Sequence, residues 1–152
     1  MKKKILNVMK MTGTDRDEIV DKGVIAGSFA VIHVGYTRML KEAQYNCREL
    51  FILLHDDPTI ERPHKNKPVH TAAERSEILQ MLCPFAIILK YNTESELLTL
   101  IKSIDPDVRF MGDDYQGKSY TGDDLGIPVH WINRSHGWSS TDFINKLIEN
   151  RK

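Results

Sequence analysis

Net charge is the first thing this chain lacks. Lysine and arginine number 21, aspartate and glutamate number 21, and the formal charge is zero. A general nucleic-acid coat carries excess positive charge, so no nucleic-acid partner is expected. Cysteine is scarce too: Cys47 and Cys83 are the only two. Each sits in an apolar stretch and reads as a small buried hydrophobe, not as part of a disulfide framework. No apolar run approaches the roughly 20 residues that cross a bilayer, so no membrane insertion is expected. Met1–Lys4 is basic, but Ile5–Met11 (ILNVMKM) is too short and too polar for the core of a secretory leader. The expected setting is a reducing cytoplasm. Internal repeats, low-complexity segments and domain linkers are also missing. One domain is the prior for 152 residues. Such a chain buries about two thirds of its unfolded surface, enough for a core without staples.

What is present is an alternation. Short apolar runs at Gly23–Phe29, Glu49–Leu54, Ala86–Lys90, Val108–Gly112 and Pro128–Ile132 suit strands covered on both faces. Between them lie helical patterns. Thr37–Cys47 spaces Met39, Leu40, Ala43 and Cys47 along one face. Thr71–Glu74 and Thr93–Glu96 are capping boxes that open helices through Leu82 and Ile104. Asp105-Pro106-Asp107 ends the second of these, because proline cannot continue the ladder. Ser140 to about Asn150 carries an apolar stripe of Phe143, Ile144, Leu147 and Ile148. Strand–helix alternation predicts an α/β fold: a doubly wound parallel sheet of about five strands. Residues 1–22 fall outside the alternation and read as an N-terminal extension to a domain of residues 23–152.

Ligands of such sheets bind beyond the carboxyl ends of the strands, so those ends are the places to search. After the first strand, Gly27, Ser28 and Phe29 make a turn. His33 and Tyr36 then share one face of a helix start, and Gly35 permits close approach to the backbone. A helix start attracts phosphate. After the second strand, the polar loop His55–Pro68 holds Arg62, Lys65 and Lys67, and Arg75 follows in the next helix. After the fourth, Asp113 and Asp114 stand in MGDDYQGK, which is not a Walker loop. After the fifth, Arg134 precedes Ser139, Ser140 and Thr141, a second helix-start anion site with Ser139 or Ser140 as N-cap. His55, His70 and His130 lack metal-ligand spacing and read as structural or surface residues. Together these ends describe a polyphosphate-binding α/β domain.

The motifs also resemble a known family. GSFAVIHVGY resembles the GTFDxxHxGH signature of the cytidylyltransferase-like nucleotidyltransferases, and RSHGWSST resembles their RTEGISTT motif. MGDDYQGK resembles the MGDDWxGK segment of glycerol-3-phosphate cytidylyltransferases, and HTAAERSEIL the helix that carries their ER or HR pair. The resemblance implies a Rossmann-like fold and a commonly dimeric enzyme. The implied reaction transfers CMP from CTP, with Mg²⁺, to a small phosphorylated alcohol, glycerol 3-phosphate first, and releases pyrophosphate. It implies that Gly27, Ser28, Phe29, His33 and Gly35 bind the nucleotide. Lys65 or Lys67 would neutralise the phosphates or meet the acceptor, and Arg75 would bind the acceptor. Arg134, Ser139, Ser140 and Thr141 would hold the β- and γ-phosphates, and Asp113 or Asp114 the ribose or base. No protein-held metal site is implied.

Two departures stand out. Tyr36 replaces the second histidine of HxGH, where as a catalytic residue it still donates one hydrogen bond but is neutral and longer, and Ala30 replaces the aspartate. Loss of one charge-stabilising donor typically costs roughly 10²–10³ in rate. That leaves a slow enzyme, a rearranged site, or a nucleotide-binding protein without catalysis. His136 stands where the family has glutamate. An adenylyltransferase of the same superfamily, such as the heptose-phosphate or FAD-forming type, also fits.

The zero net charge hides two opposed segments. Residues 61–75 hold Arg62, Lys65, Lys67 and Arg75 against two glutamates, and residues 105–124 hold six aspartates against Arg109 and Lys118. The two are expected to face each other across one crevice.

Overall fold

A computed structural model describes residues 19–151. The chain builds one five-stranded parallel sheet in the order β3-β2-β1-β4-β5. Strands and helices alternate: β1 (Val20–Gly27), α1 (Val34–Tyr45), β2 (Cys47–His55), α2 (Ala72–Leu82), β3 (Ile87–Tyr91), α3 (Glu94–Ile104), β4 (Val108–Gly112), β5 (Val129–Ile132) and α4 (Ser140–Glu149). This is the doubly wound α/β architecture that the alternation predicts.

The strands read as continuous apolar runs because they are covered on both faces. Ile25, Ile52, Leu54 and Phe110 pack with Met39, Leu40 and Ala43 of α1 and Leu79 of α2. The alternate residues Val24, Phe51 and Leu53 pack with Leu97, Ile101 and Ile104 of α3. Both cysteines are buried and unpaired. Burial pushes their thiols up, to about 12 at Cys47 and about 11 at Cys83.

Several boundaries differ from the sequence pattern; Cys47, for one, opens β2 and does not close the helix before it. β1 begins at Val20, not Gly23, and ends at Gly27, not Phe29. Its first residues hide as polar ones: the Lys22 amide donates to the Asp107 carboxylate and its ammonium to the Ile104 carbonyl. The expected extension therefore gives up residues 20–22 to the sheet, and residues 1–18 lie outside the described ones. α1 starts at Val34, three residues before the apolar periodicity is legible, because His33 caps it. The Thr71 capping box is complete, but at Thr93 only half of one forms. Thr93 accepts from the Glu96 amide, while the Glu96 carboxylate takes the Asn92 amide instead. α3 ends at Asp105, which adopts a left-handed φ of 49° just before Pro106.

The winding reverses between β1 and β4. The chain runs outward through β2 and β3, then crosses to β4 and β5 on the other side of β1. The carboxyl ends of β1 and β4 therefore flank a crevice.

Candidate functional site

The loop from β1 to α1 forms one wall of this crevice. Phe29 is buried and has φ of 47°, a left-handed conformation that a bulky side chain rarely adopts. Its ring lies 5.2 Å from that of Tyr36. His33 follows as the N-cap of α1. Its Nδ1 accepts the Gly35 amide at 3.0 Å. A ring that accepts at Nδ1 carries its hydrogen on Nε2 when neutral. That Nε2 is buried and has no hydrogen-bond partner. Burial, the Arg134 guanidinium and His136 hold the His33 imidazole below the ordinary histidine range, so it is a neutral donor at pH 7. Gly35 is needed here: a Cβ would sit 2.8 Å from the His33 ring and 3.0 Å from the Trp138 Cβ.

The loop from β5 to α4 forms the opposite wall. The Arg134 amide donates to the Asp113 carboxylate at 3.1 Å, and its Nη2 donates to the Trp138 carbonyl at 3.0 Å. Its Nε is buried and unpartnered. Gly112 leaves the room for this: a Cβ there would meet the Asp114 carboxylate and lie 2.8 Å from the Arg134 Cδ. Trp138 and Phe143 stack on His33 at 6.4 and 6.1 Å, joining the two walls. Tyr36 lies 4.6 Å from the His33 ring, and its hydroxyl meets the Ser140 hydroxyl at 3.5 Å. Ser139 is the N-cap of α4, accepting the Asp142 amide; Thr141 follows it, exposed on the first turn.

Arg75, which the resemblance assigns to the acceptor, is bound by the chain's own backbone. It is 1% exposed. Its Nε donates to the His70 carbonyl, its Nη1 to Ser28 and His55, and its Nη2 to Asp56. Four of its five donors are therefore taken by backbone. The guanidinium still lines a cleft of about 470 Å³ with Asp56, Lys67, His70, Thr71 and Asn92, over the ends of β2 and β3.

Lys65 and Lys67 are exposed on the loop between β2 and α2. Lys67 faces Asp57 at 3.8 Å. Among the described residues, no hydrogen bond or ion pair ties either lysine to His33 or Arg134. Glu94 at the start of α3, which belongs to neither the basic nor the acidic segment, bridges the two. One Glu94 oxygen takes Arg62 at 3.2 Å and the other takes the Thr121 hydroxyl at 2.7 Å. The neighbouring Glu61 carboxylate accepts the Glu94 amide at 2.7 Å. Asp113 and Asp114 turn the other way. Asp113 accepts the Arg134 amide, and Asp114 lies 4.0 Å from the Arg134 Nη1. Arg109, buried on β4, anchors the acidic segment from below through the Thr121 carbonyl and the Tyr120 ring. Two further histidines are held by other groups: His55 meets the Asn92 carbonyl at 3.0 Å, and His130 pairs with Glu42 at 2.7 Å.

Sequence reasoning left His136 and Trp138 out of the site. The His136 Nδ1 accepts the Trp138 amide at 3.0 Å, and its Nε2 is buried without a partner. The signals in the sequence were a histidine between two candidate anion-binding residues and its place where the resembled family has glutamate. Three buried donors thus stand unpartnered on these two walls: His33 Nε2, Arg134 Nε and His136 Nε2. Unmet buried donors cost about 1–3 kcal/mol each. Grouped in this way, they fit an anion with several oxygen acceptors.

The fold and site together define an α/β nucleotidyltransferase-type domain. Residues 24–145 match the family model described as cytidylyltransferase-like, and the chain belongs to that family. It is 30% identical over 129 residues to the bifunctional protein HldE of Aliarcobacter butzleri, covering 83% of this chain and 26% of that protein. It is 32% identical over 124 residues to the same-named protein of Campylobacter fetus, covering 80% of this chain and 26% of that one. The chain therefore spans about a quarter of these relatives. Its fold is similar to that of a lipopolysaccharide core biosynthesis protein from Thermoplasma volcanium: TM-score 0.56, 22% identity, 74% of this chain and 94% of that one. Pantothenate synthetase from Thermus thermophilus shares the fold at TM-score 0.53 and 13% identity, over 74% of this chain and 55% of that one. No described helix is long and apolar enough to cross a membrane.

Proposed function

We propose that this chain transfers a nucleoside monophosphate from a nucleoside triphosphate to a small phosphorylated polyol or sugar, with CTP and glycerol 3-phosphate as the first pair. The observation that carries this is the set of buried, unpartnered donors on the two walls of the crevice. A triphosphate supplies acceptor oxygens for all of them. An acceptor phosphate oxygen attacks the α-phosphorus, the bond to the bridging oxygen breaks, and pyrophosphate leaves with the electron pair. No covalent intermediate with the protein forms. The protein's work is alignment and stabilisation of developing charge.

His33 Nε2 and Arg134 donate to the phosphate chain in this reading, and the start of α4 at Ser139, Ser140 and Thr141 adds its dipole. The cleft over β2 and β3 takes the acceptor, with Arg75 holding its walls and Lys65 or Lys67 closing on the phosphates. Asp113 or Asp114 meets the ribose or base. Mg²⁺ arrives on the triphosphate as part of the substrate.

A second reading is adenylyl transfer from ATP to a sugar phosphate, and the HldE relatives favour that branch. One experiment tests both: each nucleoside triphosphate with Mg²⁺ against a panel of polyol and sugar phosphates, read as pyrophosphate release. Release with CTP and glycerol 3-phosphate supports the first pair, and release with ATP and a sugar phosphate replaces it. Nucleotide binding with no release in any combination overturns transfer and leaves a binding protein.

A further inference from the structure

We propose that His136 is a catalytic residue: its Nε2–H is the second imidazole donor to a phosphoryl oxygen, where Tyr36 supplies none. This rests on the nucleotidyltransferase reading for the identity of the anion.

The two histidines are held by one device. Each Nδ1 accepts the amide two residues ahead at 3.0 Å, Gly35 for His33 and Trp138 for His136. Each neutral ring must then carry its hydrogen on Nε2, and each Nε2 is buried without a partner. Gly137 makes the second pin possible. Its φ of 79° is open to glycine and turns the chain so that the Trp138 amide reaches back. The rings also share surroundings. Trp138, whose amide pins His136, stacks on His33. Arg134 stands two residues before His136 and leaves its Nε unpartnered. Burial, then Arg134 and His136, lower the pKa of His33, which sets both groups beside its ring.

Tyr36 carries no imidazole. Its ring packs against those of His33 and Phe29, and its hydroxyl lies at Ser140. The loop after β5 thus carries an imidazole donor where the helix start carries a tyrosine hydroxyl, which accepts from Ser140.

The test uses the whole chain and inorganic tripolyphosphate, which needs no acceptor. Calorimetry of the wild type is expected to show one site per chain. His136→Ala is expected to weaken it at least tenfold. His136→Gln, whose side-chain amide nitrogen reaches near the imidazole Nε2 position, is expected to recover most of that loss. In turnover, His136→Ala is expected to lower kcat roughly 10²–10³-fold, with a smaller change in KM for the acceptor. Adding Tyr36→His to His136→Ala is expected to restore kcat by more than Tyr36→His raises it in the wild type. Equal affinity in wild type and His136→Ala overturns the inference. So does a wild type that binds no tripolyphosphate, or a Tyr36→His gain that is the same in both backgrounds. Tripolyphosphate binding through His136 with no pyrophosphate release from any substrate pair removes the transferase reading and sustains the His136 donor. Wild-type kcat in His136→Ala does the reverse.

Discussion

The Arg75 guanidinium donates to the Ser28 carbonyl at 2.7 Å, and the same nitrogen donates to the His55 carbonyl at 2.7 Å. One α2 side chain therefore ties the ends of β1 and β2 together beneath the crevice.

Replacing it tests that role. Arg75→Ala strands four carbonyls, one in a buried bond and three in part-buried ones, and is expected to destabilise the fold by about 3 kcal/mol or more. Arg75→Lys keeps the charge but loses the planar fork, and is expected to recover only part of the loss. Denaturant midpoints decide this. A stable Arg75→Ala protein whose only defect is acceptor KM removes the structural role.

Gly35→Ala is expected to displace His33 and Trp138 by a few tenths of an ångström, since the new Cβ lands within 3.0 Å of both. The expected cost is about 1–3 kcal/mol of stability, with at least a tenfold fall in tripolyphosphate affinity. Unchanged affinity means that the His33 ring does not act at the anion.

His33 has a pH signature. Its folded pKa lies below the ordinary 6.5. Between the two values the unfolded chain binds more protons, so stability rises with pH through that window and is lost as pH falls through it. Thermal midpoints of the wild type are expected to drop relative to His33→Gln as pH falls below about 6.5. Parallel curves contradict the depressed pKa.

Glu94→Gln weakens the ion pair to Arg62 while keeping an acceptor for Thr121. Glu94→Ala removes both. Proteolysis within residues 56–71 and 113–127 is expected to accelerate in both segments together for the alanine variant, and mainly in the first for the glutamine variant. Acceleration in neither segment denies the tether.

The architecture was legible in the sequence because both faces of the sheet are covered, which turns strands into plain apolar runs. The helix starts were legible through Thr71 and Ser139, whose caps are local. What escaped depended on contacts distant in the chain. Lys22 reads as a loop residue until Asp107 and Ile104 satisfy it. Arg75 reads as a free cation until four carbonyls surround it. His33, Gly35 and Arg134 were found by motif. Their unpartnered nitrogens, and the matching one on His136, depend on how the two loops close on each other, which no local pattern encodes.

The placement of β1 at the centre of the sheet also sets the order of assembly. Its pairing with β2 joins Val20 to Cys47, whereas its pairing with β4 joins Gly23 to Val108. The second contact closes a far longer loop and is entropically later. His33 rides on the early half and Arg134 on the late half, so neither half alone presents the full set of donors. In refolding, anion binding is expected to lag behind the far-ultraviolet signal. Affinity for polyphosphate then reports a finished molecule.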